Sequence, residues 1–168
     1  GKLAMMELIP KPIFLGLEVG AVAIPFLFHA IYGIYICMQA KNNPTKYGYL
    51  NNWNFAFQRW TAWFLLVFLV WHVGYLRCYV KGVLGTPITY ELIQSYVTSS
   101  PIVFVLYLIG MLAAIFHFTN GIATFLMTWG VVKGPRAQKT AGLLSMLLCV
   151  ALSLVTIAFM VSYFVPMH

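Results

Sequence analysis

Acidic residues are nearly missing from this chain of 168 residues: three Asp/Glu stand against ten Lys/Arg, for a formal net charge of +7. Charged residues together make up only 8%, about a third of the roughly 25% found in soluble domains. That is too little polar surface to cover a water-soluble globule of this length. Cysteine is equally sparse. Cys37, Cys78 and Cys149 form no C-x-x-C pair, which excludes a disulfide framework. None of the long apolar runs alternates with period two, which argues against barrel strands. There is no internal repeat, no low-complexity segment and no signal-peptide pattern; the chain opens on Gly1 rather than Met and is expected to be processed or incomplete at its start. What is abundant is apolar: 62% hydrophobic and 17% aromatic residues exclude disorder. The basic excess lies in short clusters between long apolar runs, the pattern that encodes membrane topology rather than nucleic-acid binding.

Four apolar runs have the ~20 residues needed to cross a hydrocarbon core of roughly 30 Å: Ile13 to Met38, Trp60 to Val80, Pro101 to Val132 and Ala141 to Val165. The expected fold is an all-α integral membrane bundle, one membrane domain over 1–168, with short connections that place successive spans side by side. Lys41, Lys46 and Arg59 load the first connection, and Lys133, Arg136 and Lys139 the third. Arg77 and Lys81 in the second are offset by Glu91, and Lys2 and Lys11 before the first span by Glu7. Basic loops stay on the cytoplasmic side, so the first and third connections are predicted inside and both termini outside. The longer second connection, Gly82 to Ser100, is expected to hold a short interfacial helix around Tyr90-Glu91-Leu92-Ile93. Ser99-Ser100-Pro101 reads as an N-cap followed by proline at the first helical position.

Three of the four histidines, His29, His72 and His117, fall inside spans; His168 is terminal. An ionisable side chain in a span is costly and points to function. One such histidine is as readily a neutral imidazole bonded to a neighbouring carbonyl or hydroxyl, but three on three spans favour a cofactor. Neutral imidazole is an axial ligand of haem iron, and helix bundles build cofactor sites from facing helices. Zinc or copper is the competing reading. It wants three or four close ligands, often including Cys or a carboxylate, and none lies within a turn of these histidines. Gly33 follows His29, and Gly121 follows His117, four residues on and on the same helix face. The repeated His-x-x-x-Gly pattern suits a flat ligand lying close to the backbone, whereas a single such glycine, or Gly110 seven residues before His117, would signify helix packing. His72 has Leu76 at that position. Counted from the outer boundary at 1.5 Å per residue, His29 lies ~27 Å beyond Lys11, His117 ~24 Å beyond Pro101 and His72 ~8 Å before Arg77. The first two therefore share a level toward the inside. Pro25, one turn before His29, removes a backbone bond and is expected to kink its helix.

These residues also carry a resemblance. His29-Ala30-Ile31-Tyr32-Gly33-Ile34-Tyr35, Ala40-Lys41-Asn42-Asn43, Asn52-Trp53, Gln58-Arg59 and Trp71-His72-Val73 occur in order along the chain. Ile115-Phe116-His117-Phe118-Thr119-Asn120-Gly121, Thr128-Trp129-Gly130 and Pro135-Arg136 follow. Together they resemble the single-polypeptide cytochrome b558-type membrane anchor of succinate:quinone oxidoreductases, from about Ile13 to Phe164. The resemblance implies five transmembrane helices and two haems b, with the first helix apparently lacking here or supplied by a further membrane helix or small subunit. It implies that His29 and His117 ligate the haem proximal to the iron–sulfur subunit, and that His72 ligates a distal haem if one is present. It implies electron transfer in a bacterial cytoplasmic membrane. A flavoprotein subunit carrying FAD oxidises succinate, and an iron–sulfur subunit passes electrons through haem b to a quinone, with menaquinone expected; fumarate reduction is equally compatible.

Within that frame Trp53 and Arg59 are candidates for contacting haem propionates, with interface anchoring as the alternative. Glu18, the sole acid inside a span, is either an interfacial carboxylate or a proton acceptor at an outer quinone site. Two further functions compete: a cytochrome b anchor of another respiratory dehydrogenase, and a haem-free structural anchor.

Overall fold

The computed structural model describes residues 10–39, 45–46 and 48–164. Lys2, Glu7, Val165, His168 and the Ala40-Lys41-Asn42-Asn43 motif lie outside the described residues. The described secondary structure is helical, with no strand, and four helices are long and apolar enough to cross a membrane: Pro12–Gln39, Leu50–Val83, Pro101–Thr128 and Pro135–Ser162. The chain divides into two units, residues 1–41 and 42–168.

The first unit is one span. α1 (Lys11–Leu17) runs into a π-helical stretch (Glu18–Ala23) and then α2 (Ile24–Gln39). The wide turns have an identifiable cause in Pro25. A proline inside an α-helix clashes with the carbonyl four residues back and offers no N–H to it. Widening the preceding turns relieves both problems, and the Ile24 N–H accordingly bonds Val19 O, five residues back. The expected kink thus takes the form of a π stretch.

In the second unit α3 (Leu50–Val73) continues through a π-helical stretch (Gly74–Val83). α4 (Tyr90–Thr98) is the short helix expected in the second connection, and α5 (Pro101–Thr128) and α6 (Pro135–Ser162) complete the unit. α5 is the central helix: α3, α4 and α6 each pack against it. Val97 of α4, Tyr107 of α5, and Met160 and Tyr163 at the end of α6 form a buried cluster, with Phe68 and Trp71 of α3 against it. Elsewhere large apolar side chains point outward, Val67 and Val70 about 70% exposed (71% and 69%) and Val155 at 66%. Such a surface belongs in hydrocarbon rather than water.

The helix ends follow local chemistry more closely than hydropathy. Ser100 caps α5, its hydroxyl accepting from the Ile102 N–H at 3.3 Å with Pro101 at the first position. α5 stops at Thr128, short of the Val132 end of the apolar run, because Gly130 takes φ 68°, open to glycine at little cost. Gly130 N–H then bonds Met127 O and Val131 N–H bonds Leu126 O, which closes the helix in a Schellman motif. α3 begins at Leu50, well before Trp60, because Asn51, Asn52, Asn54, Gln58 and Arg59 are helical although they are polar. α6 begins at Pro135, so Arg136 and Lys139 sit in its first turns rather than in a loop. Cations there oppose the helix dipole, so their placement answers to something beyond the helix itself. On α4, the backbone amide and the Thr89 hydroxyl that caps the helix hold the exposed Glu91 carboxyl below the ordinary carboxylate range.

Candidate functional site

α3 and α5 build a polar joint around His117. The imidazole Nδ1 lies 3.2 Å from the Gln58 carbonyl oxygen and 3.4 Å from Thr61 Oγ1. The carbonyl can only accept. The Thr61 hydroxyl spends its proton on its own helix, at 2.7 Å from Phe57 O and 3.1 Å from Gln58 O, so it too faces the ring as an acceptor. Nδ1 therefore carries the proton, and Nε2 carries the lone pair. The Gln58 side chain closes the joint from the other side. Its Nε2 donates to the His117 backbone carbonyl at 3.0 Å, and its Oε1 accepts from Asn120 Nδ2 at 2.9 Å. Gly121, one turn beyond His117, faces this amide: a Cβ there would stand 3.5 Å from Gln58 Nε2, in ordinary van der Waals contact. Ser145 of α6 donates to Thr119 O at 2.7 Å, tying the same stretch of α5 to its other neighbour.

Beside this joint runs an aromatic stripe. Trp53, Phe57 and Trp60 pack ring against ring along α3, Trp60 edge-on to the other two, with Phe57 also against Phe116 of α5 at 6.1 Å between ring centroids. The Arg59 guanidinium lies 5.6 Å from the Phe55 ring, a cation–π arrangement. Trp53 and Arg59 are thus on the same helix as Gln58, each against aromatic side chains of α3.

His72 sits in a second, differently built setting further along α3. Its Nδ1 is 3.0 Å from the Tyr107 hydroxyl, and its ring stacks on Phe68 at 5.8 Å and 14°. Phe68 occupies the space over Gly110, where a Cβ would come within 2.5 Å of the ring. Gly110 is therefore a packing glycine between α3 and α5, unconnected with the His117 joint. In the first unit Glu18 lies in the π stretch and His29 and Gly33 share one face of α2. Within that unit a Cβ on Gly33 would meet no heavy atom within 4 Å.

Imidazoles such as those of His117 and His72, each with Nδ1 in a hydrogen bond, have the donor chemistry of axial haem-iron ligands. Among the described residues no group of three His, Cys, Asp or Glu side chains is placed to hold a bare metal ion. Gln58, Thr61 and Asn120 are functional candidates that a search for ionisable residues passes over, and Tyr107 is one that a search for histidines passes over. The signal available was the presence of two amides within otherwise apolar helices; their meeting needed the pairing of α3 with α5.

No solved structure matches the chain. Residues 40–158 match the model of the succinate dehydrogenase/fumarate reductase transmembrane subunit family. The succinate dehydrogenase cytochrome b558 subunit of Bacillus subtilis (strain 168) is 37% identical over 144 residues, which cover 86% of this chain and 70% of that protein. With apolar helices of spanning length and most of its length matched, the chain belongs to the succinate dehydrogenase/fumarate reductase transmembrane subunit family.

Proposed function

We propose that this chain is the membrane-anchor cytochrome b subunit of a succinate:quinone oxidoreductase in a bacterial cytoplasmic membrane. The observation that carries the reading is the His117 joint, in which two acceptors hold the Nδ1 proton and leave Nε2 as the ligand nitrogen. His117 and His29 are the axial ligands of one haem b, on the strength of the shared His-x-x-x-Gly pattern, and His72 is a ligand of a second. Gly33 and Gly121 leave room beside the ring. Arg59 and Trp53 meet the propionates, where a guanidinium pairs with carboxylate. Haem b so held supplies one-electron transfer between the iron–sulfur subunit and the quinone, menaquinone in this reading. The flavoprotein and iron–sulfur partners, with FAD and the clusters, dock at the inner ends of the spans. Lys133, Arg136 and Lys139 mark that face.

In the intact complex, adding succinate should raise a haem b α-band in the reduced-minus-oxidised spectrum. A complex that oxidises succinate and shows no such band would overturn the reading. Glu18 is assigned as a proton acceptor on the quinone side. Glu18→Gln should leave that spectrum unchanged while slowing quinone reduction several-fold; an unaltered rate would remove Glu18 from the mechanism.

A further inference from the structure

We infer that Gln58 is the positioning residue of the His117 site, clamping the histidine at once by its ring and by its backbone. The inference rests on His117 being a haem ligand and extends that reading to the device that aims it.

The geometry is reciprocal. The Gln58 backbone carbonyl receives the imidazole Nδ1–H, and the Gln58 side-chain amide gives a proton to the His117 backbone carbonyl. One residue of α3 therefore fixes both where α5 stands along its axis and how the ring on it is turned. Asn120 holds the amide in the correct sense. The His117 backbone carbonyl can only accept, so Gln58 Nε2 must face it and Gln58 Oε1 must face the Asn120 amide, which answers with its Nδ2. The amide thus has no freedom to flip. In a span the clamp has little competition from water, because hydrocarbon offers the backbone and side-chain polar groups no other partner. The consequence is electronic as well as steric. A hydrogen bond from Nδ1–H to a carbonyl raises the basicity of Nε2, and a more basic axial ligand favours the ferric over the ferrous iron. A clamp that keeps this bond short holds the potential down and fixes the ring plane.

The test uses the assembled complex with three variants. Gln58→Met keeps the side-chain length and removes both side-chain bonds. Asn120→Leu removes only the partner that orients the amide. His117→Ala removes the ligand. Gln58→Met is expected to retain full haem content, to raise the midpoint potential of the haem held by His117, and to shift its low-temperature EPR g-max, which reports the angle between the axial rings. Asn120→Leu should move both readings the same way by a smaller amount, and it decides the matter if Gln58→Met does not assemble. Unchanged potential and g-max in an assembled Gln58→Met complex, or in Asn120→Leu where that complex is missing, would overturn the role of Gln58. An unchanged haem signal in His117→Ala would instead overturn the ligand assignment beneath it, so the two failures are distinct.

Discussion

Membranes carrying His117→Ala are expected to lose one haem b signal completely, and those carrying His29→Ala to lose the same one. An iron held by two imidazoles has no substitute ligand when either is cut back to a methyl group, since no Cys or carboxylate lies within a turn of these positions on their own helices. The His117 variant is informative because the fold should survive it. The Gln58 amide bonds the backbone carbonyl of residue 117, which alanine keeps, and Asn120 still orients that amide. α3 and α5 therefore stay latched, and the missing signal reports a missing ligand rather than a missing helix pair. His72→Ala should remove a second, separable signal. Reduced-minus-oxidised spectra of the three variants, scaled to subunit content, check the set. Loss of different signals in the His29 and His117 variants would refute their pairing.

Gly110→Leu should be the most damaging single change away from the histidines. Even a Cβ at this position falls within 2.5 Å of the Phe68 ring, and the longer side chain has no route past it. Phe68 cannot swing freely. It is packed edge-on against Trp71 at 5.7 Å and Tyr107 at 5.6 Å, and face-on against His72. Overpacking of this kind costs about 1–3 kcal/mol, here concentrated where α3 crosses α5. The strain runs straight into the His72–Tyr107 hydrogen bond. Two readouts should therefore fall together: thermal stability of the purified complex, and the signal that His72→Ala removes. Phe68→Ala in the Gly110→Leu background should restore much of the stability, a coupling that a double-mutant cycle measures directly. Additive effects would mean that the two side chains do not compete for the same space.

Much of this architecture can be read from the residues in order. Apolar runs mark the four spans, Ser100-Pro101 marks the start of α5, and the turn chemistry between Gly82 and Ser100 leaves room for α4. The readings that missed an end did so because hydropathy is blind to backbone conformation. Gly130 terminates α5 through a positive φ while Val131 and Val132 still count as apolar. Asn51, Asn52 and Asn54 extend α3 while counting as polar. The histidines stood out because ionisable groups are rare in spans. Their partners did not, since a glutamine, a threonine and an asparagine acquire their meaning only when two helices are brought into register. Gly110 and Gly121 show the same limit. Both lie on the stripe of His117, yet a phenylalanine ring of α3 fills the space over Gly110, while a side chain at Gly121 would meet the Gln58 amide only at ordinary contact distance. Spacing along one helix cannot separate those roles.

The π-helical stretch from Gly74 to Val83 bears on how substitutions in this span are to be mapped. A helical wheel drawn through Leu50–Val83 at ~100° per residue is sound as far as Val73 and drifts out of phase beyond it, because each residue of a π turn sweeps a smaller angle. Leu76 and Val80 are buried on one side of this stretch, and Tyr79 and Lys81 are exposed. A scanning series across the outer third of this span should be plotted against the wider π turn, whose hydrogen bonds run i→i+5. Read that way, neighbouring variants with opposite phenotypes resolve into one continuous stripe along the helix.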